Sequence, residues 1–259
     1  MKKLAFLFLI YDEINFENIW HKFFINIDKN KYNIYIHQKN NFQLQFFNQY
    51  KINQIIPTSY QSHISLVLAF NRLIEEALKD PDNSHFILLS GSCIPTKPFN
   101  YIYDFLNPNF SYFNICPQEQ CFPRANQTLQ FIDKKFIQKS STWCILNKKH
   151  ANVLIKETFY INWFKDCYGA DEHAYITSLF YHNLQNELIT TPNIALNATT
   201  FTNWEGMDYP YPSTNGLKNY DFISNEELMN ILRSYGTLFA RKFNKCCYLN
   251  DIYIDFIKS

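Results

Sequence analysis

Residues 85–106 read HFILLSGSCIPTKPFNYIYDFL, and this stretch decides the fold. The large apolar residues Phe86–Leu89 run directly into Ser90–Cys93, which reads Ser-Gly-Ser-Cys. A short apolar run bounded by turn residues is typical of a strand that is covered on both faces of a parallel sheet. In open α/β sheets, ligands bind at the carboxyl ends of such strands. Because the chain holds only 5 glycines, we expect Gly91 to let a ligand approach the backbone.

Segments with strand and helix patterns alternate along the rest of the chain. The predicted strands are 4–10, 32–37, 52–56, 85–89, 110–115, 142–146, 194–203 and 237–243. The predicted helices are 16–27, 63–78, 101–106, 149–156, 171–181 and 224–233. This alternation predicts an α/β fold with a mostly parallel central sheet flanked by helices. We predict a single domain over 1–259, with two long irregular stretches, 116–138 and 204–223, that are functional candidates.

Composition bounds the class of protein. An apolar fraction of 47% and a charged fraction of 18% allow a substantial core. The net charge is +1, from 24 basic and 23 acidic residues. A general nucleic-acid-binding protein needs a basic excess, so no nucleic-acid partner is expected. The aromatic fraction of 18% fits both core residues and sugar-stacking surface, and composition does not separate the two.

The amino terminus and the cysteines indicate the compartment. MKKLAFLFLIYDE begins like a signal peptide, but its apolar part ends in Tyr-Asp-Glu without a small-residue cleavage site. We therefore predict a first strand there, and no segment approaches the roughly 20 apolar residues of a membrane helix. The 7 cysteines include no CxxC pair, which suggests reduced thiols. The expectation is a soluble, cytoplasmic protein without signal peptide or membrane anchor.

Common cofactor and metal motifs are absent from the sequence. It contains no GxGxxG, GxxxxGK[ST], GxSxG or HExxH pattern. Residues 80–82 spell DxD, the diphosphate–metal motif of many sugar-nucleotide transferases. They precede the Phe86–Leu89 strand, whereas a metal site of that kind should follow it. We interpret them as a helix-terminating turn and expect no metal.

Five groups of segments, in order, resemble one known family, the core-2/I-branching glycosyltransferases, and especially its plant-type branch. They are KKLAFLFLIYDEINFENIWHKFF with YNIYIHQK, HFILLSGSCIPTKPFNYIYDFL, SSTWCILNKKHANVLI, CYGADEHAYITSLF, and TTFTNWEG with LFARKF. The family includes β-1,6-N-acetylglucosaminyltransferases and peptide O-xylosyltransferases. The resemblance implies a GT-A type fold, a donor-binding half at about 1–115 and an acceptor and catalytic half at about 116–259.

The resemblance also implies an activity. It implies transfer of a sugar from a UDP-sugar to a glycan or glycoprotein hydroxyl, with inversion and without a metal. N-acetylglucosamine is the first candidate for the transferred sugar and xylose the second.

Three titratable residues, Asp171, Glu172 and His173, follow Gly169-Ala170 at the start of a predicted helix. From the pattern alone, acids at a helix start favour the helix dipole and need no further role. The resemblance implies that Glu172 is the catalytic base, which takes a proton from the acceptor hydroxyl. Asp171 and His173 are then expected to orient Glu172 or to cap the helix, and Asp171 is also placed among acceptor-binding candidates.

Basic residues late in the chain are candidates for the donor diphosphate. The resemblance places Lys242 on the diphosphate, and Lys218 falls near a second cation of the family. Arg241 is a further candidate, although strand alternation puts it and Lys242 on opposite faces. Without the resemblance, Arg241 and Lys242 are interpreted as two solvated charges on an edge strand. A metal-free site needs such fixed cations to stabilise the leaving group.

The remaining candidates line the two substrates. The donor pocket is predicted to comprise His37, Ser90, Gly91, Ser92 and Cys93, with Gln38 and Lys39 near the nucleotide. Acceptor candidates are Trp204, Glu205 and Arg124. Two interpretations of Trp204 stay open. It is either a core residue or an aromatic ring in a polar loop that stacks on the C–H face of a sugar.

Two rival hypotheses remain. One is a catalytically inactive module on the same fold that binds a glycan or nucleotide sugar, and the presence of Glu172 and Lys242 favours the enzyme over it. The other is a structural surface protein, which leaves the SGSCIP loop unexplained.

Overall fold

The structure is a computed structural model that describes residues 2–59, 63–193, 196–204 and 216–258. Its strands are β1 Lys3–Ile10, β2 Tyr32–Gln38, β3 Asn83–Ser90, β4 Ile94–Pro95, β5 Ser111–Ile115, β6 Ile145–Asn147, β7 Leu188–Pro192, β8 Thr200–Thr202 and β9 Phe239–Arg241. Its helices are α1 Glu17–Phe24, α2 Ile64–Leu78, α3 Phe99–Phe105, α4 Phe122–Ala125, α5 Lys148–Lys156, α6 Phe159–Phe164, α7 Ala170–Tyr181, α8 Asn225–Arg233 and α9 Asp251–Lys258.

The central sheet has six strands in the order β2-β1-β3-β6-β5-β7. β1 is parallel to β2 and β3, and β5 is parallel to β7, whereas β6 runs antiparallel to β3 and β5. The α/β fold with a mostly parallel sheet flanked by helices is thus confirmed. In this register Leu9 lies beside Ser90 and Ile10 beside Gln38, so the carboxyl ends of β1, β2 and β3 share one edge.

Apolar side chains cover both faces of this sheet. On one face, Ala5 and Leu7 of β1 belong to a core cluster with residues of α2, α5 and α7. On the other face, Leu4, Phe6 and Phe8 belong to a cluster with residues of α1 and α3. Because neighbouring strand residues point to opposite faces, a continuous apolar run is what a doubly covered strand requires.

A small second sheet, in the order β4-β9-β8, carries the late basic residues to the carboxyl edge of β3. β4 follows β3 after the Ser90–Cys93 turn and pairs antiparallel with β9. The amide of Phe243 donates to the carbonyl of Ser92 at 3.1 Å. The end of β9 is therefore fixed against the turn after β3.

Some predicted elements are wrong or shorter than expected. The predicted strand 52–56 does not form. The amide of Ile52 still donates to the carbonyl of Ile36 in β2 at 2.9 Å, but the amide of Ile56 donates to the side chain of His37 at 2.8 Å, so the pairing does not continue. The predicted strand 142–146 is reduced to β6. Of 194–203, only β8 is a strand, and residues 194 and 195 lie outside the described part. Five elements were not predicted, namely β4, α4, α6, β7 and α9. No helix within the described ranges is long and apolar enough to cross a membrane.

Candidate active site

Gly91 is required by contact with the protein's own backbone. A Cβ atom at this position would lie 2.4 Å from the carbonyl oxygen of Glu13. The amide of Asn15 also donates to the carbonyl of Gly91 at 2.8 Å. The loop after β1 therefore makes the close approach that we expected of a ligand, and any substituent at Gly91 would push this loop away.

The other residues of this turn are buried and bonded to one another. The hydroxyl oxygens of Ser90 and Ser92 lie 3.1 Å apart, and the Cys93 sulfur lies 3.2 Å from the Ser90 hydroxyl. Cys93 is fully buried, and burial raises the pKa of its thiol. Their place beside the carboxyl end of β3 agrees with a donor pocket, but their contacts are internal, so that role remains a prediction.

Arg241, at the end of β9, lies among several predicted site residues. Its guanidinium lies 4.2 Å from the centroid of the Trp143 ring, and it contacts Cys93. Burial lowers the pKa of Arg241, and the charges of Asp171 and Glu172 oppose this shift. Its Nε is buried without a hydrogen-bond partner in the described chain. A buried cation of this kind is an electrostatic anchor for an anionic group.

Glu172 is positioned in the first turn of α7. Gly169 precedes the helix with φ +88°, a conformation that favours glycine. The Glu172 Oε2 atom lies 3.4 Å from both Arg124 Nη1 and Lys139 Nζ. The Glu172 side chain is 20% exposed, Arg124 41% and Lys139 11%. Both ion pairs use Oε2, which leaves Oε1 without a bond to any residue that the structure describes.

The acidic neighbour of Glu172 is in a different environment. The Thr142 hydroxyl donates to Oδ2 of Asp171 at 2.7 Å. Burial, and next the charge of Glu172, raise the pKa of Asp171 to about 6. Oδ1 of Asp171 is buried without a partner in the described ranges. Asp171 makes no side-chain cap to α7, contrary to one of our expectations.

Two residues near Glu172 and Arg124 were not predicted. Lys139, which pairs with Glu172, directly follows the irregular stretch 116–138, and the length of that stretch was its only sequence signal. Tyr168 is 51% exposed, and the Arg124 guanidinium lies 4.9 Å from the centroid of its ring. Tyr168 lies within the segment CYGADEHAYITSLF, but nothing in the pattern singled it out.

The two predicted diphosphate lysines differ in their surroundings. Burial, and then the charge of Arg241, lower the pKa of Lys242. Lys242 forms no ion pair with a carboxylate within the described residues. Lys218 lies 3.4 Å from the Glu227 carboxylate of α8 and over the ring of Tyr220. Because β9 ends at Arg241, strand alternation does not govern Lys242.

His37 is fully buried on β2, where its Nε2 accepts the amide of Ile56. Its Nδ1 has no partner in the portion described, and burial lowers the pKa of the ring. Gln38 is also buried, and its side-chain amide donates to the carbonyl of Phe42 at 3.1 Å. His37 and Gln38 therefore support the loops beside the sheet edge, and contact of either with a nucleotide remains a prediction.

A cavity of about 160 Å³ lies at this edge, between α2 and the start of α7. It is lined by Leu9, Ile10, Tyr11, Lys39, Thr58, Leu66, Phe70, Thr142, Trp143 and Asp171. The Lys39 amine lies 4.7 Å from the centroid of the Tyr11 ring, which is 60% exposed. The cavity therefore joins the ends of β1 and β2 to the acidic start of α7.

One acceptor candidate, Trp204, follows the end of β8. Trp204 is partly buried, and its indole nitrogen has no hydrogen-bond partner in the ranges described. Glu205 lies outside the described residues. The acceptor roles of both stay predictions.

The DxD segment lies at the opposite edge of the sheet. Asp80 Oδ2 bonds the Lys3 amine and the Asn33 amide, each at 2.8 Å, and Oδ1 accepts the Asp82 amide at 2.9 Å. The bond from Lys3 is the main cause that lowers the pKa of Asp80 to about 2. Lys3 pairs with Asn83 at the beginnings of β1 and β3. No group of three His, Cys, Asp or Glu residues that could hold a metal occurs in the described chain.

The family follows from comparison with known proteins. Residues 4–232 match the family model of the Core-2/I-Branching enzyme, and the chain belongs to this family. The resemblance that the five groups of segments indicated is thereby confirmed. Glycosyltransferase BC10 of Oryza sativa subsp. japonica is 28% identical over 163 residues. This match covers 60% of the chain and 41% of BC10, so the chain spans less than half of that relative.

Two solved structures show weak overall similarity. A glycosyltransferase involved in the glycosylation of the major capsid of PBCV-1 has a TM-score of 0.45 and 11% identity, covering 97% of this chain and 98% of that one. The apo structure of the bifunctional glycosyltransferase WbbM has a TM-score of 0.44 and 9% identity, covering 93% of this chain and 46% of that one. These values are too low to bear on the chemistry of the site.

Proposed function

We propose that this protein is an inverting, metal-independent glycosyltransferase that transfers a sugar from a UDP-sugar to a hydroxyl of a glycan or glycoprotein. Membership of the Core-2/I-Branching enzyme family supports the reaction class. The observation that carries the proposal is Glu172, a partly exposed carboxylate whose Oε2 pairs with Arg124 and Lys139 and whose Oε1 has no partner in the described chain. Arg241, a partly buried cation that interacts with the charge of Glu172, is the proposed partner of the leaving group.

Glu172 acts as the general base in this proposal. The two cations that bond Oε2 hold the carboxylate in place, and Oε1 accepts the proton of the acceptor hydroxyl. The acceptor oxygen attacks the anomeric carbon as its proton moves to Oε1. The bond from the anomeric carbon to the diphosphate oxygen breaks, and UDP leaves with the electron pair. Attack opposite the leaving group inverts the anomeric carbon.

Arg241 and Lys242 stabilise the departing diphosphate. Both lie in low-dielectric surroundings, where a fixed cation interacts more strongly with developing negative charge than it would in water. Lys242 has no carboxylate partner in the described chain, so it needs no rearrangement to bond a phosphate oxygen. In this proposal the two side chains supply the positive charge that a metal ion supplies in other transferases.

The sugar and the acceptor follow from the family resemblance. N-acetylglucosamine is the first candidate for the transferred sugar, and xylose transfer by the same mechanism is the second. Arg124 pairs with Glu172 and is the acceptor candidate beside the base. Trp204 and Glu205 are acceptor candidates from the resemblance alone. Tyr168 adds an exposed aromatic ring beside Arg124.

An inactive binding module is the second candidate function. The observation that favours it is the pair of cations on Glu172, since a purely structural carboxylate makes the same contacts. Such a module would bind the nucleotide sugar without releasing UDP.

The test is UDP release from a panel of UDP-sugars, with a glycan mixture as acceptor and excess EDTA present. We expect release with one sugar, and loss of this release in Glu172→Gln while UDP still binds. Release that EDTA abolishes would contradict metal independence. UDP binding without release from any sugar would favour the binding module.

A further inference from the structure

The cavity between α2 and α7 contains one polar atom whose bonding is incomplete. Asp171 Oδ1 is buried and has no partner in the described chain, although Asp171 itself lines the cavity. A buried acceptor without a hydrogen bond costs about 1–3 kcal/mol. Oδ2 is already bonded by the Thr142 hydroxyl, whose single proton is thereby used. Oδ1 is therefore the atom whose bonding a ligand in the cavity can complete, once the Asp171 side chain turns it towards the cavity.

The charges around this atom define the ligand group. Asp171 and its neighbour Glu172 are both acidic, so they repel a phosphate. Arg241 and Lys242, the cations proposed to bind phosphate, lie at the end of β9 and do not line the cavity. The Arg241 guanidinium stacks on the ring of Trp143. Lys39 is the cation that lines the cavity itself, and it lies over Tyr11. The two carboxylates disfavour an anion, and the Lys39 amine that lines the cavity disfavours a cation. The group that reaches Oδ1 is therefore uncharged and donates an N–H or O–H.

The walls of the cavity suit a ring. Leu9, Leu66 and Phe70 supply apolar surface, and Trp143 supplies an aromatic face. Ligand pockets commonly combine such walls with a few placed polar groups that fix orientation. A volume of about 160 Å³ admits one ring and not a whole nucleotide sugar.

We infer that Asp171 recognises the donor, because its Oδ1 accepts a hydrogen bond from an uncharged ring of the nucleotide sugar seated in this cavity. The donor of this bond is an N–H of the nucleobase or an N–H or O–H of the sugar. The inference rests on the proposed function and moves Asp171 from the acceptor to the donor. At the start of α7, Glu172 then acts on the acceptor and Asp171 binds the donor.

The experiment is calorimetric titration with UMP, UDP and UDP-N-acetylglucosamine at pH 8. The variants are Asp171→Leu, which removes the acceptor, and Asp171→Asn, which can retain it. We expect Asp171→Leu to weaken binding roughly 10- to 100-fold, and Asp171→Asn to weaken it less. Asp80→Ala, at the other edge of the sheet, is the control and should bind like the unmodified protein. The acceptor KM of Asp171→Asn should not change.

The three ligands separate the two sources of the hydrogen bond. A loss already seen with UMP assigns the bond to the base, and a loss seen only with UDP-N-acetylglucosamine assigns it to the sugar. Unchanged affinity of Asp171→Leu for all three would overturn the inference while leaving the proposed function intact. If the unmodified protein binds none of the three, the proposed UDP-sugar donor fails, and this inference with it. Should Asp171→Leu fail to fold, Asp171→Ala carries the same test.

Discussion

The two edges of the central sheet both hold buried or half-buried carboxylates, yet these carboxylates are bonded very differently. At the amino edge, Asp80 has three hydrogen-bond donors and a pKa lowered to about 2, chiefly by the bond from Lys3. At the carboxyl edge, Asp171 has one donor, one buried unbonded oxygen and a pKa raised to about 6 by burial. The amino-edge group has all its bonds within the fold, whereas one oxygen of the carboxyl-edge group has no donor in the described chain, and we propose that a ligand bonds it.

The DxD motif and the candidate active site lie at these two different edges. Asp80 belongs to a DxD pattern, which in sequence is the stronger sign of sugar-nucleotide chemistry. Its partners close the corner between β1, β2 and β3, so it stabilises the fold. Asp171 and Glu172 belong to no general motif. The proposed role of Asp171 is supported by its surroundings instead, which leave one oxygen unbonded and raise its pKa to about 6.

Among the variants that test this difference between the two edges, we expect a change at Lys242 to reduce turnover most. Lys242→Met removes a cation with no carboxylate partner in the described part, so UDP release should fall about 100- to 1,000-fold. Lys218→Met is the matched control, because Lys218 pairs with Glu227 at 3.4 Å. We expect its loss to be under about tenfold. Steady-state turnover of both variants measures this, and equal losses would show that the two lysines share the diphosphate.

A second pair of variants tests how α7 holds its base. Gly169→Ala and Gly216→Ala both place a side chain at positive φ, at a cost of about 1–3 kcal/mol each in unfolding free energy. Only at Gly169 does the new Cβ approach Glu172 Oε2, at 3.4 Å, whereas Gly216 has nothing within 4 Å. We therefore expect both variants to lose stability, but only Gly169→Ala to lose turnover. Full turnover in Gly169→Ala, measured below its melting temperature, would contradict this placement.

The raised pKa of Asp171 gives stability a definite dependence on pH. Ionisation costs more in the folded state, so the protein loses stability as pH rises from about 4 through about 6. Asp171→Asn removes this cost and should gain about 2 kcal/mol on the unmodified protein between pH 4 and pH 7.5. Denaturant titrations at the two pH values measure the gain. A constant difference between the two proteins would mean that the Asp171 pKa is not raised.

Asp80 should show the opposite dependence and the smallest effect. Its lowered pKa stabilises the fold above pH 4, and this stability is lost as pH falls towards 2. Because the side chain is 25% exposed, Asp80→Asn should cost about 1 kcal/mol at pH 7 and almost nothing at pH 2. The melting temperatures of the variant and the unmodified protein measure this difference, and a larger cost at pH 2 than at pH 7 would contradict it.

Local patterns predicted the fold better than they predicted the site. The apolar runs of β1 and β3 and the periodicity of α2 placed these elements within one or two residues. The segment 52–56 looked like a strand by composition, but its backbone bonds a side chain, which no local pattern reveals. The antiparallel direction of β6 is also a tertiary property. It depends on the partner strands and not on the residues of β6.

The candidate site residues came from the resemblance, and their roles stay predictions. Glu172, Arg241 and Lys242 were named from short segments, and the fold sets the charge of Glu172 near that of Arg241. Lys139 and the Trp143 contact with Arg241 were missed, because they depend on loops whose paths a sequence does not specify. We expected a ligand to require glycine at position 91. In the structure, the carbonyl of Glu13 requires it, because that oxygen leaves no room for a Cβ atom.

The most direct test is UDP release, in excess EDTA, by the unmodified protein, Glu172→Gln and Asp80→Asn. The account predicts that Glu172→Gln loses about 100- to 10,000-fold in turnover and keeps its melting temperature within a few degrees. It predicts that Asp80→Asn keeps its turnover at 20 °C and melts at a lower temperature. Full turnover by Glu172→Gln, or loss of turnover in a folded Asp80→Asn, would contradict the assignment of chemistry to the carboxyl edge and stability to the amino edge.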